Sequence, residues 1–486
     1  MRPDPGTRLL TGGAAVVVGG SPVRVLRLTP AGLRQVEEWF AGSPVAGSAA
    51  ARQLARRLLD AGIAHPDPSP GDGPSARDVT VVIPVRDRHA ELARCLRGLR
   101  DAALCPEEDA YQVIVVDDCS ADAVAIGKIA AGLGARVIRR PVNGGPGAAR
   151  NTGLAAADTE FVAFLDSDCV PRAGWLDGLL SHFADPAVGA VAPRIVPHKA
   201  GTGWLARYEG ASSTLDMGPR PSIVRPGARV SYVPGAAFVV RKAAAGDGFA
   251  AGMFVGEDVD FVWRLAAAGW RVRYEPAAVM GHDHRVRLRA WFSRRADYGT
   301  SAAALEQLHP GAVRPLYASW WTAGAWAALL AGRPVTATAL TGTAITLLAR
   351  RLSAVTGESW PLPGTTGGAA WKLAIRLAGG GTLTAGRPLG SALSRTWWPL
   401  AIPAAVAVPK LRLPLAALMV APPLLDWADR RPPLDPVRYT AARLLDDAAY
   451  SIGVWQGCLR RRTIRPLIPA IGKSPGRWTN PRFGNK

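Results

Sequence analysis

The feature that most constrains this chain is an apolar run that stops abruptly on acid: Phe161-Val-Ala-Phe-Leu165 is followed at once by Asp166-Ser167-Asp168. A continuous apolar run of this length predicts a strand buried on both faces. Open α/β sheets place their ligand groups at the carboxyl ends of such strands. The same pattern recurs upstream. Val79-Thr-Val-Val-Ile-Pro84 predicts a buried strand, Tyr111-Gln-Val-Ile-Val-Val116 another that ends in Asp117-Asp118, and Val137-Ile138 begins a further element. A helical pattern through Leu92, Cys95, Leu96 and Leu99 alternates with them, so residues 78–300 read as an α/β domain.

Alone, an Asp-x-Asp triplet usually marks a solvated turn. At the end of a buried strand it aims two carboxylates out of a sheet edge. Hard oxygen ligands of this kind suit Mg2+ or Mn2+, which would bridge the two phosphates of a sugar nucleotide. The metal would neutralise the charge that builds on a departing diphosphate.

The flanking zones differ in kind. Residues 1–70 hold an apolar run from Ala14 to Val18, a strand-like piece from Val23 to Leu28, and two helical patterns. Thr29-Pro30 is a helix start, a cap followed by proline at the first helical position. This order predicts a small winged-helix-like domain, closed by a linker rich in Pro, Gly, Asp and Ser over residues 65–77. Residues 313–486 carry nearly uncharged stretches at 317–331, 335–348, 397–409 and 413–425. Each is shorter than the roughly 20 residues a full membrane span prefers. Trp320, Trp321, Trp397 and Trp398 sit at their edges, and Arg333, Arg350, Arg351, Lys410, Arg412, Arg430 and Arg431 punctuate them. Membrane association is the expectation, with buried helices of a soluble extension as the alternative. The stretch from Tyr450 to Arg462 is expected to lie on an anionic leaflet as an amphipathic helix or to form a solvated basic tail.

Charge and cysteine narrow the partners. Against 58 Lys and Arg stand 38 Asp and Glu, a net charge of +20. That excess suits nucleotide diphosphates or an anionic membrane surface. No modular nucleic-acid signature accompanies it, so nucleic acid is not expected as a partner. Cys95, Cys105, Cys119, Cys169 and Cys458 are scattered, without metal-like spacing, and read as buried thiols. No leader-like pattern is read in residues 1–20, and the expected location is the cytoplasmic face of the cell membrane.

Six pieces in order now carry a resemblance. They are Pro84 with Val85-Arg86-Asp87; Val115-Val116-Asp117-Asp118-Cys119-Ser120; the segment Asn143 to Gly153; Phe164-Leu-Asp-Ser-Asp168; Pro234-Gly-Ala-Ala237; and Gly256-Glu-Asp-Val-Asp260. Each alone is weak, but together and in this order residues 78–300 resemble a family 2 glycosyltransferase of GT-A fold. The whole chain is then an α/β GT-A domain with a winged-helix-like domain before it and an apolar, mainly helical region after it. The resemblance implies a nucleoside diphosphate donor contacted by Pro84, Asp87 and Asp117, with Asp117 accepting from a uracil imide N–H. The Gly-rich segment 144–147 would permit close backbone approach to the nucleotide. Arg150 would supply positive charge there or form an internal ion pair. Asp168 would be the principal metal ligand, and Asp166 would bind the metal or the sugar and ribose hydroxyls. Asp258, in the Glu257-Asp258 pair opening a helix, would be the base of an inverting transfer, its alternative being a helix-dipole partner. Gly235 and Ala236 would face the acceptor. His282 or His284 would complete the metal site; spacing does not choose between them. The Gln-x-x-Arg-Trp of processive members is absent around Trp263-Arg264, so short products are expected.

Val23-Arg-Val-Leu-Arg-Leu-Thr-Pro-Ala-Gly32, Phe254 to Arg264 and Ala267 to Pro276 extend the likeness over nearly the whole chain. They resemble the glycosyltransferases of mycofactocin biosynthesis, which serve a peptide-derived redox cofactor of actinobacteria. That resemblance implies UDP-glucose as donor, a premycofactocin acceptor and a short β-1,4-glucan product. Residues 1–70 would then bind a precursor peptide or a biosynthetic partner, or serve as a structural cap. A lipid-linked or cell-wall glycan acceptor is the rival reading. A catalytically silent scaffold is the other, and the intact Asp166, Asp168 and Asp258 argue against it.

Overall fold

The first zone opens with strands β1 (Arg2–Pro3), β2 (Arg8–Leu10), β3 (Val16–Gly19) and β4 (Arg24–Arg27), of which β2, β3 and β4 form an antiparallel meander. Here and below, the computed structural model describes residues 1–10, 15–69, 71–102, 111–356 and 368–472. Helix α1 (Pro30–Phe40) starts at the expected cap: the Thr29 hydroxyl accepts from Gly32 N at 3.1 Å, and Pro30 needs no partner for the N–H it lacks. Helix α2 (Ala49–Asp60) is capped likewise by Ser48, and β5 (Ala64–His65) returns to pair with β1. Val17, Val36, Trp39, Leu58 and Ile63 form the core of this zone. Each such side chain contributes about 1.5–3 kcal/mol by leaving water.

The central sheet is built on β6 (Val79–Val85), buried at all seven positions. It pairs in parallel with β7 (Gln112–Asp117) and β9 (Phe161–Leu165), and β7 pairs in parallel with β8 (Arg136–Arg139). The sheet continues through β10 (Cys169–Pro171), β11 (Val188–Pro197), β12 (Ser222–Ile223), β13 (Ala237–Arg241) and β14 (Arg271–His282). From one edge the main path runs β8-β7-β6-β9-β13-β11-β14-β10. The strands β6, β7 and β8 step one way and β9 lies on the other side of β6, so the strand order reverses there. A crevice opens outside the carboxyl ends at such a switch point.

Helices cover both faces. On one, α3 (His89–Ala102) supplies Leu92, Cys95, Leu96 and Leu99 to a core shared with α4 (Ala123–Gly132) and α6 (Trp175–Leu180). On the other lie α5 (Gly145–Ala156) and α8 (Glu257–Ala267), with Phe164, Phe238, Phe249 and Phe261 in mutual ring contact. Helix α7 (Trp204–Ser212) lies between β11 and β12 in the chain.

The remainder is helical. It includes α9 (Leu288–Leu308), α10 (Trp320–Leu330), α11 (Pro334–Thr356), a helical run over 369–407 interrupted by π-turns at Ile375–Gly379 and Leu393–Trp397, and helices Arg412–Arg430 and Pro436–Arg460. The three zones read from composition resolve into two compact units. Among the described residues, one is Asp67–Trp291 and the other joins Met1–Pro66 to residues 292–472. The reason lies in β3: Val17 faces its own domain, but Val16 and Val18 pack against Ala349, Leu352, Leu373 and Ala374. The stretch from Tyr450 differs from a helix lying on a surface. Ser451, Gly453, Val454, Gly457 and Cys458 are buried, and Gly453 lies so close to Ala296 O that a Cβ would come within 1.8 Å of it. Gln456, Leu459 and its basic end, Arg460 to Arg462, are exposed. Cys95, Cys169 and Cys458 are buried and Cys119 is half-buried, while Cys105 lies outside the described residues.

Candidate active site

The carboxyl ends of β6, β7 and β9 bring the expected donor-side residues together. Pro84 is buried near the end of β6, past Val82, where pairing with β9 stops, and lies opposite Val116 of β7. Asp87 follows in the left-handed region at φ 55° and ties two loops: its N–H donates to Ser120 Oγ at 3.0 Å and its Oδ1 accepts from Ala121 N at 2.7 Å. Asp117 is 1% exposed, accepting from Ser120 N at 2.9 Å and from Arg139 at 2.5 Å. Asp118 accepts from Gly144 N and Gly145 N, at 3.1 and 2.8 Å, and from Arg140. That clamp fixes the glycine loop. Gly145 sits at φ 82°, a left-handed conformation that favours glycine, and a Cβ there would also displace the exposed Phe254 ring.

Arg150 is the hub of the opposite wall. Its guanidinium is buried and donates to Asp166 Oδ1 at 2.7 Å, Glu257 Oε1 at 2.9 Å and Gly235 O at 3.0 Å. The internal ion pair, one of the two roles open for it, is therefore what the geometry displays. Burial and the Asp258 charge raise the Glu257 carboxyl above its ordinary value, with Arg150 pulling the other way. Asp258, half-buried, accepts from Gly235 N at 2.6 Å and from Val259 N at 2.8 Å. Ala236 O accepts from Asp166 N at 2.9 Å. Thus the loop Gly235-Ala236 is bonded to the acid triplet on one side and to Asp258 on the other.

Asp168 meets His282 because β10 pairs with β14 in the register Cys169↔His282. His282 Nε2 lies 3.4 Å from Asp168 Oδ1, an ion-pair approach, and Oδ1 is a buried oxygen without a hydrogen-bond partner among the described residues. Asp168 Oδ2 is held by Arg88. Burial alone would push the Asp168 carboxyl up; the His282 ring and the Arg88 guanidinium outweigh it and hold the group well below the usual carboxylate range. His284 is engaged elsewhere, 3.7 Å from Glu209, which also accepts from Trp291 Nε1 at 2.8 Å. Ligand atoms of Asp168, Cys169 and His282 lie within 4.8 Å of one another. Burial drives the Cys169 thiol far above its ordinary value, so it stays protonated. A hard divalent ion fits the carboxylate and imidazole here, and the orphaned Asp168 oxygen is the atom it would engage.

Two residues of this site were not singled out from sequence. Arg88 follows the Pro84 motif directly, and charge after a strand end was its only sequence signal. Asp118 was visible beside Asp117, but its role as anchor of the glycine loop depends on a turn closed across 27 residues.

Comparison with known proteins supplies the kinship. Residues 80–247 match the model of glycosyl transferase family 2. The chain is 42% identical over 479 residues to a pre-mycofactocin glycosyltransferase of Mycobacterium tuberculosis (strain CDC 1551 / Oshkosh), covering 96% of this chain and 97% of that one. It is 36% identical to the succinoglycan biosynthesis protein ExoO of Rhizobium meliloti (strain 1021) over 116 residues, 24% of this chain and 32% of the relative. Among solved structures, the mannosyltransferase PcManGT from Pyrobaculum calidifontis, in complex with GDP-Man and Mn2+, aligns at TM-score 0.40 and 21% identity, covering 78% of this chain and 94% of that one. Identity of 42% along nearly the full length of both chains decides the matter: this chain is a glycosyltransferase of family 2 and belongs with the pre-mycofactocin glycosyltransferases.

Proposed function

We propose that the chain transfers glucose from UDP-glucose to a premycofactocin-type acceptor, with inversion at the anomeric carbon, with a divalent metal at Asp168 and His282, and with a short β-1,4-glucan as product. The observation that carries this reading is the Gly235-Ala236 loop, bonded to Asp166 on one side and to Asp258 on the other. It sets a donor-side carboxylate pair and a candidate base on the two sides of one short loop. Asp258 fits the base better than Glu257, because Glu257 is buried on Arg150 whereas Asp258 remains partly open to solvent. In the transfer, Asp258 takes the acceptor hydroxyl's proton as that oxygen forms its bond to the anomeric carbon and the bond to the diphosphate breaks. Asp168 and His282 would hold Mg2+ or Mn2+, which supplies charge neutralisation for the leaving diphosphate. Asp166, fixed by Arg150, orients sugar or ribose hydroxyls, and Pro84, Asp87 and Asp117 line the nucleoside side. The 42% identity to the Mycobacterium tuberculosis relative supports the acceptor.

Turnover with a panel of UDP-sugars, with premycofactocin and with a polyprenyl-phosphate acceptor, each with and without Mn2+, tests the reading. UDP-glucose with premycofactocin and metal should dominate; transfer only to the lipid acceptor would overturn it. Asp258→Asn should bind donor as before while losing transfer by roughly two to four orders of magnitude, the usual worth of a general base. An active Asp258→Asn variant would reject the assignment of the base.

A further inference from the structure

The helical part of the chain exposes more apolar surface than a water-soluble fold needs. Trp320, Val335, Leu383, Val406 and Leu413 expose between 68% and 81% of their area, on helices that pack side by side. The packing is seen where Trp326 Nε1 donates to Thr382 O at 2.8 Å, where Gly324 lies against Leu340, and where Gly390 lies against Leu418 O. Large exposed apolar faces mark contact with a protein or a membrane. Charge chooses between them. Residues 317–425 contain nine Lys and Arg and a single acid, Glu358. Arg333, Arg350, Lys410 and Arg412 are exposed at the ends of the apolar stretches. A surface of apolar side chains rimmed by cations and by Trp320 and Trp321 complements an anionic bilayer.

The helices are built to lie in such a surface and not to cross it. The longest uncharged helical stretch, 334–349, rises about 24 Å at 1.5 Å per residue, against a hydrocarbon thickness of about 30 Å. Pro409–Arg430 is long and apolar enough by composition, with 22 residues and a mean hydropathy of 1.2. Yet its uncharged part runs only from Leu413 to Leu425, about 20 Å between Arg412 and Asp426. The hydroxyls of Thr338, Thr341, Thr343 and Thr346 donate to carbonyls four residues back, so α11 presents no unpaired hydroxyl donor at these positions. Helices this short, with cations at their ends, settle at the interface with apolar groups below the phosphates and cations among them.

We infer that the face formed by α10, α11 and residues 369–425 is a monotopic docking surface for anionic phospholipid, held in one leaflet. Flotation of the full chain with sealed vesicles tests it. Binding to phosphatidylcholine mixed with phosphatidylglycerol should exceed binding to phosphatidylcholine alone by roughly tenfold or more. Val406→Asp with Leu413→Asp should abolish that binding while leaving the melting temperature unchanged, because both side chains are exposed. Lys410→Glu with Arg412→Glu should remove the preference for anionic lipid. Equal binding to both vesicle types, or full binding by the aspartate variant, would overturn the inference. An epitope inserted between Val408 and Pro409 should be read by antibody outside intact vesicles. Reading it only after permeabilisation would mean that the turn crosses the bilayer, and the in-plane arrangement would be rejected.

Discussion

Arg150 serves three acceptors through one buried guanidinium, and this makes it the residue on which the two sides of the site depend. Its ion pair with Glu257 is buried, so breaking it leaves a charge stranded out of water, whereas the Asp166 carboxylate on its other side is 32% exposed. Lysine keeps the charge but has no planar fork to span Asp166, Glu257 and Gly235 O together. Arg150→Lys should therefore lower kcat by roughly tenfold to a hundredfold, with a smaller change in donor KM. Steady-state kinetics with UDP-glucose read this directly, and wild-type kcat would show the hub to be dispensable. Asp168 lends itself to a titration. Its folded-state carboxyl is depressed below the ordinary value of 3.8, so it contributes stability above that value and loses it as pH falls below. In metal-free protein, wild type should exceed Asp168→Asn in stability at neutral pH, and the two should converge as the pH drops below 3.8. Denaturant melts at a series of pH values measure the gap; a gap that widens toward acid would contradict the sign.

At the scale of elements, β3 shows what a short strand reveals and what it hides. The run Ala14 to Val18 is legible as a strand, and its unbroken valines at 16, 17 and 18 fit burial on both faces. What covers the second face is a helix more than three hundred residues later, Ala349 and Leu352, and no local pattern announces that. Val16 is 0% exposed against these helices, so Val16→Asp buries an unpaired carboxylate and should cost about 3–5 kcal/mol. A melting temperature lower by several degrees or outright insolubility is expected; an unchanged melt would mean that β3 is not held there. This placement also bears on residues 1–70 as a recognition domain, since one face of its meander is already occupied. The histidine pair illustrates the complementary case. Spacing left His282 and His284 equivalent, because β10 is only three residues long and pairs with β14 across more than a hundred positions. The register Cys169↔His282 separates them: one ring turns to Asp168, and the other is engaged by Glu209. Acid-ended strands were legible because each is a local pattern. Cross-strand registers were not, because they are set by pairing at long range.

At the scale of the molecule, the cores of the two units divide differently from the zones of composition. The main core of the α/β unit, from Val79 to Met280, draws only on residues within Asp67–Trp291. Every donor-side residue discussed, from Pro84 to His282, lies in the same interval. By contrast, the core of Val16 and Val18 is completed only by residues 349–374. Two truncations should therefore behave in opposite ways. A fragment of residues 67–291 keeps its core whole and should fold and bind UDP in the presence of Mn2+, with saturating ligand raising its stability by about 2.7 kcal/mol at a hundredfold excess over Kd. A fragment of residues 1–291 contains all of that and more, yet it bares the outer face of β3 and should aggregate or expose its first 66 residues to protease. Calorimetry of UDP binding and limited proteolysis separate the outcomes. A well-behaved 1–291 fragment with a protected N-terminal zone would show that the first zone stands alone. If the 67–291 fragment fails to bind while remaining folded, the donor site must draw on residues outside the α/β unit, and the assignment of Pro84, Asp87, Asp117 and Asp168 as sufficient for donor binding would fall.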